Sequence, residues 1–136
     1  RTRLPIVLKG VLHPDDARRA LDHGANGIFV SNHGGRQVDG AIAAADALPA
    51  IVQAIDGKVP IIMDGGIRGG SDIFKALALG ATAAGIGRPF VYALALAGEK
   101  GVHEMLANLT AEFELTMALS GCCTIRDVSR ANLNLR

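Results

Sequence analysis

A histidine, an arginine and two glycines stand together in SNHGGRQ, residues 31–37, which begins on the last residue of the apolar run GIFVS. His33 can take up or release a proton near neutral pH, and the planar guanidinium of Arg36 matches a carboxylate. Gly34 and Gly35 let a short loop fold tightly enough for both side chains to face one small molecule. The combination suits proton abstraction from a hydroxy acid gripped by its carboxylate. A lone loop histidine is more often structural or merely exposed; here the arginine, the glycines and two neighbouring loops favour chemistry.

Those two loops carry the features of an anion site. In DGGIRGGSD, residues 64–72, four glycines allow close backbone approach to a ligand. The start of the following helix would offer free N–H groups, and Arg68 a charge-assisted contact to phosphate oxygens. IGRPF, residues 86–90, repeats the logic: Gly87 gives access, Arg88 gives charge and Pro89 can begin a helix. If their strands are neighbours, Arg68 and Arg88 converge on one phosphate, that of a nucleotide, a flavin mononucleotide or a sugar phosphate. Lys9 closes another apolar run and is costly to bury unpaired. It is expected to face an anion or an electron-rich ligand atom, the alternative being to snorkel into solvent. His13, His23 and His103 lack such company and are read as surface or capping residues. Cys122 and Cys123 have no second Cys/His cluster to complete a metal site, and are read as free thiols of a cytoplasmic protein.

The elements that must position these residues follow from periodicity. Apolar runs at 6–9, 27–31, 60–64 and 83–86 read as strands, and 13–23, 43–55, 71–79, 90–97 and 102–119 as helices. Leu106, Leu109, Phe113 and Met117 recur at helical spacing and are expected to face a core. Strands without polar alternation, each followed by a helix, mean an α/β fold with a parallel sheet. An open doubly wound sheet and a (β/α)₈ barrel both satisfy that pattern. The unusual polar residues fall at the C-terminal ends of the runs, which is where barrels build their sites, so the barrel is expected. A whole barrel takes about 250 residues; the 136 residues here are expected to form its C-terminal half, about strands 5 to 8, as a single unit.

Composition agrees with a globular α/β chain: 49% hydrophobic, 20% charged, 4% aromatic, with 17 glycines. A formal net charge of +1 gives no general attraction to nucleic acid or to an anionic surface. No apolar run approaches the roughly 20 residues of a membrane span, and the opening RTRLP lacks the pattern of a signal peptide.

SNHGGRQ resembles the active-site signature of the FMN-dependent α-hydroxy-acid oxidases and dehydrogenases, a family that includes glycolate, lactate and mandelate enzymes. LPIVLKG, DGGIRGGSDIFKALALGA and GIGRPF are similar to that family's segments around strands 5, 7 and 8, in the same order. The resemblance implies that His33 is the base acting on a small L-2-hydroxy acid and Arg36 its carboxylate clamp. It places Lys9 by the flavin N1–C2 edge, Ser31 against the flavin and Asp64 on the ribityl chain. It assigns Gly65, Gly66, Ile67, Arg68, Gly87 and Arg88 to the FMN phosphate region. It further implies electron transfer to oxygen or another acceptor, a homotetramer, and an N-terminal half supplying a tyrosine, a second arginine and the carboxylate that orients the base. Without that half, turnover is not expected. The competing expectations are a non-catalytic FMN- or phosphate-binding half-barrel and another FMN barrel of the IMP-dehydrogenase type, which would share the phosphate loops but not SNHGGRQ.

Overall fold

The computed structural model describes residues 2–134. Four strands, β1 (Val7–Val11), β2 (Gly27–Val30), β3 (Ile61–Met63) and β4 (Ala83–Ala84), alternate with helices α1 (Pro14–Asp22), α2 (Ala44–Ile55), α3 (Gly70–Ala78) and α4 (Arg88–Leu119). The strands are parallel and their spatial order is their sequence order, β1-β2-β3-β4. A doubly wound sheet reverses direction at a switch point; an unbroken next-neighbour order is the arc of a (β/α)₈ barrel, as expected.

One face of the arc is dry. Ile28 and Val30 of β2 and Ile61 and Met63 of β3 pack against Ala17 and Ala20 of α1 and Leu48, Ile51 and Ile55 of α2. Because side chains alternate along a strand, Phe29 and Ile62 turn to the other face and are half-buried. Fully burying one Leu- or Ile-sized side chain contributes about 1.5–3 kcal/mol, so this layer is what holds the loops in place. A second cluster of Phe74, Met117 and Cys122 joins α3 to the far end of α4.

Local chemistry explains the element ends. Pro14 opens α1, and the His13 side chain caps it by accepting from Asp15 N–H at 3.2 Å. His23 bonds the Arg19 carbonyl at the other end. Both therefore cap, as expected, and His103 is exposed on α4.

Three expectations are corrected. The first strand continues to Val11, so Lys9 lies within it. Lys9 pairs with Phe29 and Val11 with Val30, which leaves Gly10 as a bulge at φ +95°. The helices read at 90–97 and 102–119 form one run, broken at Ala97 and Gly98; Gly98 adopts φ 57°, ψ −141°, a conformation open to glycine because it has no Cβ. Along that run Leu109 and Met117 are buried and Phe113 half-buried, but Leu106 is exposed, because no described element covers its face. Among the described residues no helix is long and apolar enough to cross a membrane, and Cys122 and Cys123 are free thiols.

Candidate active site

A cleft of about 270 Å³ opens at the carboxyl end of the arc and spans it from β1 to the start of α4. Its lining brings together Lys9, His33, Arg36, Asp64, Arg68 and Arg88, with the glycines and Ile67 of the 64–68 loop and Gly87. Ser31 does not line it. That side chain is buried beneath, 3% exposed, and acts through its contacts.

The Lys9 ammonium donates to Asp64 Oδ2 at 2.5 Å and to Ser31 Oγ at 2.8 Å, and lies 3.9 Å from the centre of the Phe29 ring. The bulge at Gly10 and the parallel pairing put the charge where three strands can reach it, so the anion it meets within the chain is Asp64. The ammonium is thus paired, although the side chain stays partly exposed. The other Asp64 oxygen, Oδ1, is buried with no hydrogen-bond partner, an uncommon state for a carboxylate oxygen.

The loop after β2 is wound tightly and pinned from its own side chains. His33, Gly34 and Gly35 form a 3-10 turn at φ 56°, 68° and 73°. A left-handed conformation costs a non-glycine residue roughly 1–2 kcal/mol. His33 is held there because its N–H donates to Ser31 Oγ at 3.1 Å, while Asn32 Oδ1 accepts from Gly34 N–H at 3.0 Å and from Gly35 N–H at 3.3 Å. His33 and Arg36 are exposed, with their side chains on the cleft. Strain over-determined by its surroundings and placed at a cleft is characteristic of functional loops.

Asn32 was missed by sequence reasoning, although an Asx turn ahead of paired glycines was the available signal. It also ties the two loops together. A Cβ at Gly65 would stand 3.2 Å from Asn32 Oδ1, and Gly65 is at φ +95°, so glycine is required there twice over. On the other side, a Cβ at Gly34 would stand 3.4 Å from Arg88 Nη2, which brings the IGRPF arginine against the histidine loop.

One part of the anion reading is corrected. Three of the N–H groups leading into α3 are already taken. Asp72 Oδ2 accepts from Arg68 N–H at 3.0 Å and from Gly69 N–H at 3.2 Å, and Glu112 Oε2 accepts from Gly70 N–H at 2.8 Å. Carboxylates from the protein thus occupy the helix end that a ligand anion was expected to use. What stays open is Gly66 at φ +87° and Gly87, at each of which a Cβ would meet nothing within 4 Å, together with the Arg68 and Arg88 side chains. Away from the cleft, hydrogen bonds from the Thr124 backbone and side chain hold the Asp127 carboxyl below its ordinary range.

Residues 1–135 match the family described as FMN-dependent dehydrogenase. The chain is 57% identical to human 2-hydroxyacid oxidase 1 over 129 residues, covering 95% of this chain and 35% of that protein. It is 53% identical to an L-lactate oxidase of Lysinibacillus sphaericus over 133 residues, covering 98% and 34% respectively. Among solved structures, a mandelate oxidase with benzoyl-formic acid superposes with a TM-score of 0.92 at 51% identity, covering 95% of this chain and 38% of that one. A mandelate oxidase variant with a monooxide FMN adduct gives the same score and identity over 41% of its length. The chain therefore spans about a third of the length of the curated relatives it matches.

Proposed function

The chain belongs to the FMN-dependent dehydrogenase family, and on that premise we propose that it holds FMN and presents the base and the carboxylate clamp of a 2-hydroxy-acid oxidase. The observation that carries the reading is the charge of a single cleft. Lys9, Arg36, Arg68 and Arg88 line it against one carboxylate, Asp64, a balance of three positive charges before His33 is counted. A phosphate monoester brings about two negative charges at neutral pH and a hydroxy acid one more. Those two anions together match the excess, and neither does so alone.

The residues present also fit FMN at particular atoms. The unpartnered Oδ1 of Asp64 is an acceptor awaiting a hydroxyl donor, which a ribityl chain supplies. Open space over Gly66 and Gly87, flanked by Arg68 and Arg88, suits a phosphate approaching the backbone closely. With the start of α3 already capped, the two guanidiniums carry the phosphate charge. Lys9 is directed by Asp64 and Ser31 and would place its positive charge beside the ring system. Bound flavin would supply the two-electron acceptor that no side chain of the chain provides.

His33 and Arg36 do the remaining work. Arg36 grips the substrate carboxylate and so fixes the hydroxyl-bearing carbon relative to the imidazole. His33 accepts the proton that the hydroxy acid loses, and the strained turn keeps its ring from swinging away. The product is the 2-oxo acid. The names of the relatives favour glycolate, lactate and mandelate as candidate substrates and oxygen as the acceptor. SNHGGRQ and this charge balance disfavour an IMP-dehydrogenase-type barrel.

The test is to add FMN to the chain joined to the segment that completes its barrel, then titrate L-lactate, glycolate and L-mandelate without oxygen. A flavin spectrum that bleaches with one acid is expected. A bound flavin that none of them bleaches would refute hydroxy-acid oxidation, and failure to bind FMN would refute the cofactor assignment.

A further inference from the structure

Glu112 lies on α4, outside the cleft and 42 residues from the loop whose helix it caps. We propose that it is the positioning residue that anchors the 64–70 loop, and through it Arg68, for the phosphate ester; the inference rests on the FMN reading above. Three observations converge on it. Its carboxylate takes the N–H of Gly70, the first residue of α3, at 2.8 Å. A Cβ at Gly70 would lie 2.1 Å from Phe113 N and 2.4 Å from the Glu112 carbonyl carbon, so the two backbones touch and only glycine fits between them. A Cβ at Gly69 would lie 2.9 Å from Glu112 Oε2, so the loop folds closely around the carboxylate.

Those contacts decide where Arg68 can reach. Its own N–H is held by Asp72, two residues before the Gly70 anchor. With both ends of the 68–70 segment tied, the side chain leaves the backbone at the border between the anion cleft and the adjoining groove that Glu112 and Glu104 line. Glu112 thus does two things: it satisfies a helix N–H that would otherwise lack a partner, and it fixes the direction from which Arg68 approaches a ligand. Its negative charge does not serve the ligand; its geometry does.

The test compares Glu112→Ala and Glu112→Gln in binding to FMN and to riboflavin, which lacks the phosphate. Glu112→Ala is expected to weaken FMN binding by roughly tenfold while changing riboflavin binding by less than about twofold, because Asp64, the ribityl contact at the far end of the loop, is held by Lys9 and by its own N–H to the Val30 carbonyl. Glu112→Gln keeps an acceptor oxygen and is expected to restore FMN binding. Equal losses for both ligands would mean general destabilisation, and tighter FMN binding by Glu112→Ala would mean that the carboxylate merely competes with the phosphate; either result overturns the proposal. Amide exchange of the unliganded chain provides a readout independent of flavin. Faster exchange at Gly70 and across 65–69, with Asp64 and Ile51 of the core unchanged, is expected for Glu112→Ala. Unchanged exchange at Gly70 overturns the anchoring role. Wild-type chain that binds neither flavin refutes the cofactor reading, and the exchange measurement then decides on Glu112 by itself.

Discussion

Replacing Ser31 by Ala should slow the chemistry more than it weakens the hold on the cofactor. Two donors converge on Ser31 Oγ, Lys9 Nζ at 2.8 Å and His33 N–H at 3.1 Å, and the side chain is 3% exposed, so water cannot readily take its place. Lys9 keeps Asp64 after the substitution. His33 does not keep an equivalent partner, and its left-handed backbone already costs roughly 1–2 kcal/mol. Removing an acceptor from a half-buried N–H costs about 1–3 kcal/mol. The Asn32 bonds to Gly34 and Gly35 remain, so the turn is loosened and not lost. A net shift of about 1–2 kcal/mol is a factor of roughly 5–30 in the fraction of loops that hold the imidazole correctly. Anaerobic stopped-flow flavin reduction in the completed barrel should therefore slow by that factor, with FMN affinity changing less because Lys9 keeps Asp64. The His33 amide should exchange faster in parallel. Wild-type reduction rates together with an unchanged His33 amide would refute the view that Ser31 holds the base in place.

Two further substitutions probe separate links. Gly70→Ala inserts a methyl group against the backbone of Phe113, where no rotamer change can relieve it; a loss near the upper end of the overpacking range, about 3 kcal/mol, or roughly 10 °C in Tm, is expected in thermal unfolding, and a change within about 1 kcal/mol would show that α3 and α4 are not so closely apposed. His33→Ala should leave the flavin spectrum intact and slow flavin reduction at least about a hundredfold; near-normal reduction would remove His33 from the role of base.

What could be read in the sequence was what rests on residue type and local order. SNHGGRQ, DGGIRGG and IGRPF declared themselves because histidine, arginine and glycine at the ends of apolar runs have few structural reasons to be there. The barrel arc followed from the polar residues at the C-terminal ends of the four strand runs, since the strand–helix repeats by themselves also fit a doubly wound sheet. Contacts between distant segments were not legible. Lys9 was expected to face an anion or an electron-rich ligand atom, but nothing in the sequence said that an anion beside it would be Asp64, fifty-five residues on. The start of α3 was expected to be open to an anion. Asp72, three residues after the N-cap Gly69, was an available but unused signal of a local cap, whereas Glu112 comes from another helix and leaves no mark in spacing. The bulge at Gly10 and the break at Gly98 each left the usual sign, a glycine inside a periodic run, without saying which of several backbone irregularities it would produce.

The position of the site within the arc bears on what the chain can do by itself. Lys9 stands on β1 and Arg88 follows β4, so the cleft reaches from one open edge of the sheet to the other. Val7 and Leu8 at the first edge, and Phe90, Tyr92 and Leu94 beyond the second, are exposed apolar side chains that further strand–helix units would cover. Such units would also close over His33 and Arg36, which the arc leaves exposed. An ion pair at 4 Å is worth about 1 kcal/mol in bulk water and about 4 kcal/mol at the effective dielectric near a protein surface. On the proposed function, burial beneath such units would lower the local dielectric further and strengthen the grip of Arg36 on a carboxylate. Asp64, by contrast, is already half-enclosed, with Oδ1 shut away from solvent. On the proposed function, the cofactor side of the site is built into this chain, whereas its substrate side carries the right groups and lacks the desolvation that would give them force.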